Sequence, residues 1–219
     1  MRPLKTAIAV EGSSDETFFK VLVDRVLREI ANVHCEPGFD VGTPMVFRRG
    51  PDTWKTLCEQ LRAPAADFDL ALFHYDGTTK PEREAKKSWE PMLREWERES
   101  APGGRPLLLQ LVPVREMESW ALADLDEVNQ LIGSTVCSSR VFEAAHLPQV
   151  ERLSDPKRTL AEALRSGRQK RRSIHFHLEA LAERVSLTKL LSVPSFRDWR
   201  DETIAGLDKL GFIESGGKA

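Results

Sequence analysis

The sequence predicts an α/β protein: a mainly parallel sheet with helices on both faces, followed by a helical subdomain. Three observations predict it. TAIAV, DLALFHYD and LLLQLVPV are continuous apolar runs of strand length, the pattern of strands buried on both faces. Helical patterns lie between them, as parallel pairing requires a crossover connection. After about residue 125 the strand signals stop and only helical patterns follow. The expected division is an α/β domain over 1–125, a helical subdomain over 126–213 and a loose tail over 214–219.

TAIAV is the first strand. Behind it Phe18, Leu22, Val26 and Ile30 recur every four residues, with Phe19, Val23 and Leu27 beside them, which makes one apolar helix stripe. Ser13 and Glu16 have the spacing of a capping box at its start. A second strand is expected within residues 39–47 and a short helix within 53–61. Residues 69–76 form the next strand, with Gly77 as the turn residue behind it. One long charged helix is expected over 81–99, ending before APGGRP. Residues 107–114 give the last strand, and REMESWALADLDEV turns helical. Farther on, Pro156 suits a first helical turn capped by Ser154 or Asp155. HFHLEALAERV, SLTKLL and SFRDWRDETIAGLDKLGF complete the helical part, with Trp120, Phe196 and Trp199 expected in the core.

Hydrophobic residues make up 41% of the 219 residues and charged ones 30%, enough for a substantial core and against disorder. The formal charge of −2, from 32 basic and 34 acidic residues, argues neither for nor against nucleic acid; only clustering could. Cys35, Cys58 and Cys137 fit no C-x-x-C spacing and read as reduced thiols of a cytoplasmic protein. The N-terminal apolar run is too short for a signal peptide. No stretch approaches the roughly 20 apolar residues that span a bilayer, so no membrane partner is expected.

Open α/β sheets bind ligands beyond the carboxyl ends of their strands. Three strands deliver acids there: Glu11 after the first, Asp76 after the third, and Glu116 or Glu118 after the fourth. Asp15 and Asp124 sit on the segments that follow. Hard divalent cations need clustered carboxylates. Singly, each acid also fits a plainer role: Glu11 and Asp15 at a helix N-terminus, Asp76 in a turn, Glu116 and Glu118 as solvated first-turn residues. As a set at successive strand ends, they favour a metal site.

AVEGSSDETFF is similar to the opening motif of Toprim domains, the catalytic fold of topoisomerases, primases and OLD-type nucleases. More closely, the chain resembles a Toprim-like family related to OLD-type nucleases and often met near bacterial defence genes. The matching pieces are VEGSSDETFF, HYDG, VPVREMESWALAD, DPKRTL and the F-x-x-W of SFRDWRDETIAGL, in the right order along most of the chain. The resemblance implies a Toprim-like (Rossmann-type) sheet and a metal-dependent nuclease, active on DNA rather than RNA, with a role in phage defence. It implies Glu11, Asp76 and Glu118 as the catalytic acids, holding Mg²⁺ or Mn²⁺ with Asp15 and, second in rank, Asp124. One departure stands out. Where the family carries D-x-D, this chain has HYDGT, so either His74 or, in the preferred register, Thr78 replaces an acid.

Arg165, Arg168, Lys170, Arg171 and Arg172 concentrate charge in one stretch that could neutralise phosphates, or could equally form a solvated loop. Lys157 in DPK could reach a phosphate as well. His175 and His177 match no zinc spacing, and Ser13 and Ser14 have no evident base. The chain has no P-loop motif, so any ATPase would be a separately encoded partner. The alternative function is a non-catalytic regulator that binds nucleic acid or a nucleotide and works with such a partner.

Overall fold

A computed structural model describes residues 2–35, 38–49, 53–98, 106–133, 149–167 and 173–213. The strands are β1 (Thr6–Val10), β2 (Met45–Arg48), β3 (Leu70–His74) and β4 (Leu107–Leu111). They form one all-parallel sheet in the order β2-β1-β3-β4. The helices are α1 (Ser13–His34), α2 (Trp54–Arg62), α3 (Pro81–Lys87), α4 (Trp89–Arg98), α5 (Glu118–Ala121), α6 (Leu125–Ile132), α7 (Pro156–Ser166), α8 (Ile174–Arg184), α9 (Leu187–Leu190) and α10 (Pro194–Lys209).

The order explains the two layers. β1 to β2 moves one way across the sheet, and β2 to β3 to β4 moves the other. Right-handed crossovers therefore place α1 on one face and α2, α3 and α4 on the opposite one. Alternation along the strands follows. Ile8, Val10, Leu70 and Leu72 join Phe18, Phe19, Leu22 and Val26 of α1 in the larger core cluster. Ala7, Ala9, Ala71 and Phe73 join Leu57, Leu61, Met92 and Trp96 in the smaller one. The larger cluster also contains Leu178, Leu181, Phe196, Trp199 and Leu207, so the C-terminal helices share the core of α1. Trp120, Phe196 and Trp199 pack edge-on or tilted against one another within it, as their apolar setting predicts.

Two local expectations are corrected. The charged helix over 81–99 is two helices, broken at Ser88 (φ −111°). Pro91 is the cause: it lacks the N–H that would bond the Lys87 carbonyl, and its ring crowds that carbonyl. The capping box expected of Ser13 and Glu16 does not form, and a single cap bond one residue earlier takes its place. Gly12 is the N-cap, and the Asp15 carboxylate accepts from its N–H at 2.9 Å. Glu16 instead pairs with Arg48 at 2.8 Å. At α7 the cap is Asp155, which accepts from Arg158 N–H at 2.8 Å. Cys58 is a buried free thiol, and Cys137 lies outside the described residues. No described helix is long and apolar enough to cross a membrane.

Candidate functional site

The chain reverses its direction across the sheet between β1 and β3, and such a switch point opens a crevice beyond the carboxyl ends of the strands. Glu11 leaves β1 on one side of it, and Asp76 leaves β3 on the other. Glu118 opens α5 and is only 8% exposed. Asp15 sits in the first turn of α1, which starts at the same edge.

The loops behind β3 and β4 are fastened to each other, and this positions Asp76 and Glu118. Gly77 N–H donates to Pro113 O at 3.0 Å, and Thr78 and Arg115 exchange backbone bonds of 3.2 and 2.8 Å. Thr78 (φ 50°) and Arg115 (φ 68°) both hold left-handed backbone, which is uncommon outside glycine. A Cβ on Gly77 would stand 2.8 Å from Pro113 O, so the crossing needs glycine. The Arg115 guanidinium donates to Glu151 O and Ser154 O, each at 3.1 Å, and ties the crossing to the segment before α7. Ser119 Oγ donates to Val114 O at 2.9 Å and steadies the start of α5.

His74 lies beneath the acids. Its place in β3 turns it toward the α1 face, where it is buried against Phe19 with ring centroids 4.5 Å apart. Nδ1 donates to Leu111 O at 3.0 Å. Nε2 faces Asp15 Oδ1 at 3.6 Å and Asp76 Oδ1 at 3.8 Å, ion-pair distances that leave it without a hydrogen-bond partner. Burial alone would lower the pKa of His74, but Asp15, Asp76 and the Leu111 carbonyl outweigh it and raise it. Of the two positions where the D-x-D pattern lacks an acid, His74 is therefore the one inside the cluster. Thr78 belongs to the crossing, with its hydroxyl accepting from Lys80 N–H at 3.3 Å.

The acids respond to burial and to one another. Asp76 is pushed up to about 7, first by burial and then by repulsion from Asp15, Glu11 and Glu118, with His74 opposing. Burial also raises Glu118, with Glu116 and Asp15 adding to it and Lys157 working against it. For Asp15, burial would raise the pKa, but His74, the Gly12 N–H and Lys157 hold it below the usual value. Glu11 makes an ion pair: Arg49 Nη2 reaches its Oε1 at 2.8 Å. The Arg49 guanidinium lies over the Trp54 ring, 4.2 Å from its centroid.

The structure thus brings Asp76 within electrostatic range of Glu11, Asp15 and Glu118, with Lys157 near Asp15 and Glu118. These carboxylate oxygens suit a hard cation. Among the described residues, no three His, Cys, Asp or Glu side chains stand close enough together to hold an ion in this arrangement. Asp124 is not part of the set. It caps α6 through Glu127 N–H (3.4 Å), accepts from Ser186 N–H (3.1 Å) and pairs with Lys189 Nζ at 2.6 Å. Glu116 accepts from Lys157 N–H at 3.2 Å. Arg165 is exposed near the far end of α7, about 12 Å along the helix axis from Lys157. Arg168, Lys170, Arg171 and Arg172 lie outside the described residues. Sequence reasoning passed over Arg49. Its signal was the pair Arg48-Arg49 closing a strand before Gly50.

Fold and site together define an α/β protein with an acid-lined crevice at the switch point of a parallel sheet. Residues 10–202 match the family described as Domain of unknown function (DUF4276), which covers most of the chain, and the protein belongs to that family. No curated protein and no solved structure matches it.

Proposed function

We propose that the protein is a divalent-metal-dependent nuclease of the Toprim type that hydrolyses phosphodiester bonds, in DNA rather than RNA. The observation that supports this best is the meeting of Asp76 with the charges of Glu11, Asp15 and Glu118 at the switch-point crevice. Asp76, Glu118 and Glu11, with Asp15 beside them, would hold Mg²⁺ or Mn²⁺. The bound cation would offset phosphate charge and lower the pKa of a water ligand. Glu118, held above its usual pKa by burial, is suited to accept or return a proton at the reacting oxygens. His74 holds Asp15 and Asp76 from below. Lys157 and Arg165 supply positive charge for the nucleic-acid backbone. The role in phage defence rests on the family resemblance alone.

The test is cleavage of supercoiled, linear and single-stranded DNA, and of RNA, with Mg²⁺, Mn²⁺ or EDTA. Metal-dependent cleavage lost in Asp76→Asn and Glu118→Gln supports the reading. Cleavage that survives in both variants, or in EDTA, refutes it.

A second reading is favoured by one feature: His74, one of the two positions where the resemblance to Toprim domains leaves a carboxylate missing, stands among the acids. On that reading the domain binds nucleic acid or a nucleotide without cutting it and regulates a separately encoded ATPase. Binding by folded protein with no cleavage under any metal condition would select it.

A further inference from the structure

From the Glu11–Arg49 pair we infer that Arg49 is the phosphate-gripping residue of the crevice. In the free protein Glu11 holds the place that an incoming phosphate takes. The inference rests on the proposed site, and it names the chemistry that opens that site.

Arg49 follows the last residue of β2, and its N–H donates to Val10 O at 2.8 Å, which extends the pairing with β1. That register sets its side chain beside Glu11, the residue after Val10. The guanidinium is held from two sides, by the Trp54 ring at 4.2 Å and by Glu11 at 2.8 Å. A cation stacked on an aromatic ring is oriented before its ligand arrives, so less conformational freedom is lost on binding.

The contact with Glu11 is weaker than the groups allow. Arginine offers five N–H donors and binds carboxylate or phosphate best through two parallel bonds. Here one nitrogen, Nη2, bonds one oxygen of Glu11, and Nε has no hydrogen-bond partner. The pair is also half-open to water, with 28% of the Arg49 side chain and 32% of that of Glu11 exposed. An acceptor that reaches Nη2 and Nε together, as the two non-bridging oxygens of a phosphate ester can, would displace Glu11 from Arg49.

The exchange has a consequence for the acids. While Arg49 engages Glu11 Oε1, that oxygen is not free to join Asp76 and Glu118. Phosphate on Arg49 releases Glu11 toward its neighbours. Binding of the phosphate ester and completion of the acid cluster then favour each other, and by linkage the effect is reciprocal.

The phosphate could belong to a nucleic-acid backbone or to a free nucleotide, and the experiment separates the two. Binding of a fluorescent single-stranded and a duplex oligodeoxynucleotide is measured in EDTA from 50 to 300 mM salt, with AMP and ATP as competitors. Arg49→Ala is expected to weaken oligonucleotide binding roughly tenfold and to reduce the slope of log K against log[salt] by about one. Arg49→Lys, which keeps the charge but loses the fork, should fall between. Glu11→Gln, which frees Arg49, should bind more tightly than wild type, and unchanged affinity would show that Glu11 does not compete for the arginine. Thermal melts confirm that each variant is folded.

Wild-type affinity and slope in folded Arg49→Ala would overturn the inference. So would a loss of binding in Glu11→Gln as large as in Arg49→Ala, since Glu11 would then be needed to hold the arginine in place. Arg49-dependent binding in EDTA, with no cleavage once Mg²⁺ or Mn²⁺ is supplied, keeps Arg49 as the phosphate residue and refutes the nuclease. If only AMP or ATP binds, and does so through Arg49, the phosphate source is a free nucleotide. If neither class binds wild type, the inference fails.

Discussion

Asp76→Asn should stabilise the protein in EDTA, and the gain should depend on pH in a defined direction. The folded state raises the Asp76 carboxyl from 3.8 to about 7 by burial and by the charges of Asp15, Glu11 and Glu118, with His74 opposing. The folded protein therefore holds this proton more tightly than the unfolded chain does. The stability contributed by the proton is complete below about pH 4 and is lost as the pH rises through about 7. A displacement from 3.8 to about 7 corresponds to roughly 4 kcal/mol undamped. The side chain is 39% exposed, however, and solvent screening reduces this to about 1–2 kcal/mol. Asparagine has nearly the same shape and never ionises. Urea unfolding at pH 8 should thus show Asp76→Asn more stable by about 1–2 kcal/mol, a midpoint shift of about 0.5 M. The difference should shrink steadily toward pH 4. Millimolar Mg²⁺ at pH 8 should recover much of the deficit in wild type and little in the variant. A variant less stable than wild type at pH 8, or a difference independent of pH, would refute the electrostatic account of the crevice.

Other outcomes follow from packing and from the residues that stand apart. Gly77→Ala should destabilise by about 1–3 kcal/mol in denaturant unfolding, because its Cβ would meet the Pro113 carbonyl at 2.8 Å and backbone must move; an unchanged midpoint would show that the crossing is not tight. Asp124→Ala should cost about 2 kcal/mol through loss of the α6 cap and of the Lys189 and Ser186 contacts. The same variant should leave the stabilisation by Mg²⁺ and the oligonucleotide affinity unchanged, and a loss of either would return Asp124 to the site.

The sequence by itself determined most of the elements and pointed to the carboxyl edge of the sheet. TAIAV, LALFH and LLLQL became strands because continuous apolar runs satisfy a sheet buried on both faces. Glu11 and Asp76 were placed by their position just after those strands, which is a local property, whereas Glu118 was singled out from Glu116 by the family resemblance. The tertiary structure decided what local pattern does not carry. Strand order, and with it the switch point between β1 and β3, arises from pairing between distant segments. Asp124 is an acid at a helix start, as Asp15 is, yet Lys189, 65 residues away, engages it. Arg49 reads as one more surface charge until β2 lies beside β1 and sets it against Glu11 and Trp54. His74 reads as a missing acid until burial against Phe19 turns its Nε2 toward Asp15 and Asp76. Charge–charge contacts reach across the sheet in space, whereas sequence pattern reaches only a helical turn or a strand along the chain.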